Sequence, residues 1–274
     1  MTVSNEISET RPLPAGHYHS TGAIRSEWIK LRTVRSTMWT LGALIFVTIG
    51  IGVLVTHADA SNWAHLSLAD RLQFDPTNDS LAGLAVGQLA IGVLGILVIT
   101  AEHGTGSIRA TLSAVPNRPL VLGAKAVVFG LVALIVGEAV CVVSFLAGQA
   151  MISGKAPQAT LGQPGVARAV LLAGVFVALI GLVALGIGTI IRHTAGGIAT
   201  YVAAVFIVPL VINAFPASIR TAVEKFLPLD VGRSMGAVHP VTNALSPWAS
   251  LGLLCGYAVV LLAVGCWLLV RRDA

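Results

Sequence analysis

The charged side chains of this 274-residue chain leave six long gaps, and that spacing decides what it can fold into. Stretches without Asp, Glu, Lys or Arg cover residues 36–58, 80–101, 126–154 (interrupted once, by Glu138), 169–191, 194–219 and 234–270. Each is long enough for the roughly 20 apolar residues with which a helix crosses about 30 Å of hydrocarbon. Lipid offers no partner to a backbone amide, so a spanning segment closes its hydrogen bonds within a helix or a sealed barrel. The two-residue alternation of a barrel is absent here. The expected fold is an all-α integral membrane protein of six transmembrane helices, near 37–57, 80–101, 120–152, 168–191, 195–216 and 247–270.

Composition excludes other classes. Apolar residues make up 55% of the chain and charged residues 11%, against about 25% charged in soluble domains. The net charge of +5 does not indicate nucleic acid, because no soluble domain exists to carry a basic face. Membrane proteins retain basic residues on the cytoplasmic side, which raises the charge without any such partner.

Orientation follows from the same bias. One face holds Arg11, Arg25, Lys30, Arg32, Arg35, Arg109, Arg118, Lys125, Arg192, Arg271 and Arg272. The other holds only Arg71, Lys155, Arg168, Arg220, Lys225 and Arg233. The first face contains both termini and is therefore expected in the cytoplasm, N-in and C-in. Residues 1–20 contain Glu6, Glu9, Pro12 and Pro14 and no continuous apolar core, so they read as a disordered cytoplasmic tail rather than a signal peptide. Residues 21–274 are expected to form a single six-helix membrane domain. Cys141, Cys255 and Cys266 lie within spans and lack metal-ligand spacing, so no metal site or disulfide framework is expected. No phosphate loop is present; the nearest approach, from Gly148 to Lys155, has the wrong spacing and no hydroxyl after the lysine. Catalytic and cofactor-binding residues are likewise not expected.

Two polar segments carry the information. Before the first span, Ile24, Trp28, Leu31, Val34 and Met38 recur at helical spacing. Glu27 and the cations Arg25, Lys30, Arg32 and Arg35 occupy the remaining surface, as in a helix lying in the membrane interface beside anionic lipid. Between spans two and three, Gly104 and Gly106 are expected to break one helix, and Thr105 or Ser107 to cap another. Ile108, Leu112 and Val115 give that second helix, near 105–116, one apolar side, and Pro116 ends it. The result is a helical finger with Glu102 at its root and Arg109 and Arg118 expected to be exposed.

The run Ser26, Glu27, Trp28, Ile29, Lys30, Leu31 and Arg32, then Glu102, His103, Gly104, Thr105, Gly106, Ser107, Ile108 and Arg109, then Pro116, Asn117 and Arg118, resembles the permease subunits of bacterial ABC-2-type transporters. The actinobacterial branch is the closest resemblance, over nearly the whole chain from about residue 22. The resemblance implies an elbow helix carrying Glu27, Trp28, Lys30, Leu31, Arg32 and Arg35. It implies a cytoplasmic coupling helix, which docks into a separate ATPase, carrying Glu102, Gly104, Thr105, Ile108, Arg109, Leu112, Pro116 and Arg118. It implies extracellular re-entrant helices before the last span, and a working unit of two permeases, identical or paralogous, with two ATPase copies. ATP and Mg2+ would then be bound by the partner ATPase and no cofactor by this chain, in a bacterial plasma membrane whose lipid is the remaining partner.

Glu138 is the one ionisable group deep in a gap, where a charge costs about 2.5–3.5 kcal/mol on insertion scales. It is expected to face the bundle or a dimer cavity, paired or protonated, and is a pathway candidate. Two other functions stay open: a proton-coupled secondary transporter using Glu138, and a lipid-modifying membrane enzyme. Gly83 with Gly87, and Gly252 with Gly256, are candidate faces for close helix contact.

Overall fold

A computed structural model describes residues 20–114 and 117–271, and among these every regular element is helical. In chain order these are α1 (Ser20–Thr33), α2 (Arg35–Asn62), α3 (Leu68–Gln73), α4 (Pro76–Ser80), α5 (Leu84–Gly104), α6 (Ser107–Ala114) and α7 (Arg118–Ile152). Then follow α8 (Val166–Ile191), α9 (Thr194–Val202), α10 (Val208–Ile212), α11 (Ala217–Glu224), α12 (Pro228–Gly236) and α13 (Pro247–Arg271). Six helical stretches among the described residues are long and apolar enough to cross a membrane, formed by α2, α5, α7, α8, α9 with α10, and α13. The chain is a multi-pass helical membrane protein. The tail 1–19 and Pro116 lie outside the described residues, as do the side chains of Arg109 and Leu112.

Helix α8 is the axis of the bundle. It is apolar on every side, which suits burial on every side, and α5, α7 and α13 all pack on it. Small residues let backbones approach: a Cβ on Gly174 would meet α7, one on Gly188 would meet α5, and one on Gly186 would meet α13. Gly83 and Gly87 play the expected part, lying against Thr48 of α2, whereas a Cβ on Gly252 or Gly256 would meet nothing among the described residues.

Span boundaries depart from the charge gaps where local chemistry intervenes. The second span begins at Leu84 rather than near 80, because Asp75 caps a separate short helix, accepting from the amides of Thr77 at 2.9 Å and Asn78 at 3.1 Å. That helix is pinned to α7: Ser144 Oγ donates to the Ser80 carbonyl at 2.6 Å, and Gln149 Nε2 donates to Ser80 Oγ at 3.0 Å. The fifth span ends at Ile212 rather than near 216, and it contains a wide π turn over Ala203–Ile207. Pro209 explains the turn, since its ring has no N–H and collides with the carbonyl four residues back in an α-helix.

Arginines fasten the ends. Arg118 Nη1, at the start of α7, donates to the Leu269 carbonyl at 2.7 Å. Arg192 Nη2, just after α8, donates to the Leu268 carbonyl at 3.0 Å. These bonds satisfy the carbonyls that the last turn of α13 leaves open, and they place the starts and ends of three spans on one side. On the opposite side Arg168 Nη2 donates to the Ala237 carbonyl at 2.7 Å and ties α8 to the segment following α12.

Candidate functional site

On the side of the termini, α1, α5, α6 and α7 converge on four charges. Glu27 comes from the middle of α1, Glu102 from the last turn of α5, Lys125 from the second turn of α7, and Lys30 from one turn beyond Glu27. Lys125 Nζ lies 2.6 Å from Glu27 Oε2 and 2.6 Å from Glu102 Oε1. Lys30 Nζ lies 2.8 Å from Glu27 Oε1 and 2.9 Å from Glu102 Oε1. Its third proton is directed to Thr111 Oγ1 of α6 at 3.4 Å, a long contact that reaches the finger.

The quartet carries two positive and two negative charges, and this neutrality makes burial tolerable. The Lys125 side chain is 1% exposed and that of Glu27 5%. Removing such ions from water costs several kcal/mol each, recovered only through close pairing and saturated hydrogen bonding. Lys30 is the most exposed member. Burial alone would lower its pKa, but the Glu27 and Glu102 carboxylates outweigh that effect and hold its ammonium above the ordinary lysine value. Glu102 Oε2 is buried and accepts from no described residue, so this carboxylate spends one oxygen on both lysines.

The finger is present, with different details from those expected. Helix α6 starts at Ser107 rather than near 105 and runs to Ala114, the last described residue before 117. The break falls at Gly106 alone, whose φ of 70° is open to glycine, while Gly104 remains the last helical residue of α5. Thr105 Oγ1 lies 2.9 Å from Ser107 Oγ and donates to the Ala101 carbonyl at 3.0 Å, bridging the turn. Ile108 is the buried anchor of α6, 3% exposed.

Helix α1 buries a face that its apolar spacing did not mark. Its bundle face is Ala23, Glu27 and Leu31, spaced by four, and all three are buried. Of the apolar stripe Leu31 shares that face, Ile24, Trp28 and Met38 are exposed, and Val34, also exposed, borders the cavity beside it. Glu27 on this face pairs with the buried Lys125 ammonium. Arg25, Arg32 and Arg35 remain exposed. Between α1, α2, α5 and α6 lies a cavity of about 420 Å3, walled by Leu31, Val34, Leu94 and Val98 with the quartet at one end.

Arg118 is another correction. It is half-buried and bonded to α13 rather than exposed on the finger, because the open carbonyls of the last span lie within its reach. Glu138 does sit within a span, against Gly174 of α8, and no described residue donates to its Oε2. The resemblance puts Lys125 in the coupling element with Glu102, but its pairing with Glu27 was not expected, nor was Thr111. The available signal was the pair of acids and pair of lysines at the margins of the gaps, which burial forces together.

The chain matches no protein-family model and no curated protein. The site's geometry and the sequence resemblance are therefore what a functional reading has to rest on.

Proposed function

We propose that this chain is the membrane permease subunit of an ATP-binding-cassette exporter of the ABC-2 type. In this reading both termini and α6 face the cytoplasm of a bacterial cell, α1 is the elbow helix and α6 the coupling helix. A separate ATPase, present in two copies, binds ATP and Mg2+ and presses on α6, and a second permease copy or paralogue completes the transport path.

The observation that supports this best is the quartet at the root of α6. Lys30 and Glu102 join the finger to α1 and α5, and Lys125 carries the linkage into α7. A displacement of α6 that shifts Lys30 unbalances a buried, neutral charge set, and the low-energy response is for α1, α5 and α7 to move with it. Rigid-body motion of packed helices is a known route from such a local push to a change of access. The exposed cations Arg25, Arg32 and Arg35, with Trp28 beside them, suit the anionic membrane interface. Export rather than import, and the extracellular re-entrant role of α11 and α12, rest on the family resemblance.

Gentle solubilisation followed by affinity purification tests the reading. A soluble ATPase recovered in stoichiometric amount, and lost on Arg109→Glu, supports it. Recovery of a lone chain whose transport follows a proton gradient and not ATP contradicts it, and favours a secondary transporter built around Glu138.

A further inference from the structure

Helix α1 runs into the first span with Val34 alone between them, so the cavity beside them lies where that span enters the membrane. The cavity follows α5 from Glu102 inward to Leu94, eight residues or about 12 Å of helix. Its outer end holds the charge quartet and Ser107, and its inner end is apolar, walled by Leu94, Leu97 and Val98. A membrane lipid has the same polarity along the same axis, with its headgroup outermost and its hydrocarbon inward.

The accessible charge here is positive. The side chains of Glu27 and Glu102 are 5% and 12% exposed, whereas that of Lys30 is 38% exposed and lines the cavity. Arg32 and Arg35, on either side of the α1–α2 junction, are exposed as well. Lys30 spends two contacts on carboxylates, and its third, to Thr111 Oγ1, is 3.4 Å long and easily exchanged for an anion. Thr37 also lines the cavity and is 3% exposed, yet its hydroxyl bonds to no described residue. Unlike Glu102 Oε2, that hydroxyl is not sealed by its neighbours, so it is free to donate to an occupant. An ammonium, an unused hydroxyl donor and an apolar end together suit an amphiphile that carries negative charge and further acceptors.

We propose that this cavity binds one anionic phospholipid from the leaflet on the side of the termini. Its phosphate pairs with the Lys30 ammonium, an ester carbonyl accepts from Thr37 Oγ1, and the upper part of one acyl chain lies against Leu94 and Leu97. The volume of about 420 Å3 holds about 17 heavy atoms, scaled from a 150 Å3 cavity that takes benzene. That accommodates the phosphoglycerol unit and a short length of chain, and the rest of the lipid stays in the bilayer. The inference concerns only occupancy of the cavity and does not depend on the transport reading.

Native mass spectrometry of the full-length protein in detergent tests it, by titration with palmitoyl-oleoyl phosphatidylglycerol and with phosphatidylcholine of the same chains. One phosphatidylglycerol adduct per chain is expected to saturate first, at about tenfold lower concentration than phosphatidylcholine, the difference made by one charge-assisted contact. Lys30→Gln is expected to reduce that preference to about twofold. Thr37→Val keeps the side chain's shape and is expected to weaken both lipids alike about fivefold, since both carry the ester carbonyl. Val98→Phe fills the apolar end and is expected to abolish the first adduct, which keeps the test open if Lys30→Gln does not fold. Equal affinity for the two lipids, a preference that survives in folded Lys30→Gln, or a first adduct that persists in folded Val98→Phe overturns the proposal. Displacement of the lipid by excess glycerol phosphate, which has no chains, would show a site for a free anion and overturns it too.

Discussion

The Lys125 ammonium and the Glu27 carboxylate lie 2.6 Å apart across 98 residues of sequence, almost completely shielded from solvent. This pair fixes the face that α1 turns toward the bundle and brings Lys30 over the finger. Removing one partner leaves a buried charge without its counter-ion. Lys125→Met is expected to cost about 3–5 kcal/mol. Glu27→Gln combined with Lys125→Met should cost less than the two single changes added together, because the pair is lost as a unit. Thermal unfolding in detergent measures both.

Arg118 is expected to act on α13 and not on a docking partner. Arg118→Gln removes a charged donor to the Leu269 carbonyl, worth about 1.5–3 kcal/mol. Amide exchange over the last turn of α13 should accelerate, while recovery of a bound ATPase stays at the level of the unaltered chain. Loss of the ATPase with unchanged exchange would return Arg118 to the finger's outer surface.

Asp79 introduces a pH dependence on the side opposite the termini. Burial first, then the nearby Asp59 and Asp75 carboxylates, pushes its pKa from 3.8 to about 6. A folded-state pKa above the unfolded value means that the neutral acid favours the fold. That stabilisation is complete below pH 3.8 and is lost as pH rises through about 6. The unfolding temperature should therefore rise as pH falls from 7 to 5, once other titrating groups are subtracted by comparison with Asp79→Asn. The variant should be more stable than the original at pH 7.5 and lack this component of the slope.

Glu138 has no donor to its buried Oε2 among the described residues. Glu138→Gln is expected to leave the unfolding midpoint unchanged or raise it, because an amide is cheaper than a carboxylate in hydrocarbon. A loss above about 1 kcal/mol, the worth of a typical hydrogen bond, would show a structural partner instead. If the group serves the transport path, the same variant should alter transport and its pH dependence.

The spans were legible because a membrane segment is defined by what it lacks, and the gaps between charges are visible residue by residue. Helix ends were legible only where one residue decides them alone: Pro247 starts α13, but the separate helix at Pro76–Ser80 depends on its contacts with α7. The finger at Ser107–Ala114 was visible from its breakers and apolar spacing. The face of α1 was not. Its apolar stripe was visible from spacing, but that Glu27 lies on the buried face depends on its pairing with Lys125. Periodicity records local preference and carries no information about a counter-ion 98 residues distant. Arg118 illustrates the same limit, since its partner carbonyls belong to the far end of the chain.

Sidedness and docking of α6 are read most directly by labelling Ala110→Cys, an exposed position on the finger, in a cysteine-free background with a membrane-impermeant maleimide. Reaction is expected in inverted vesicles and not in intact cells, and it should be blocked when the companion ATPase is bound. Reaction from outside the cell, or undiminished reaction with the ATPase present, would contradict a cytoplasmic coupling role for this helix.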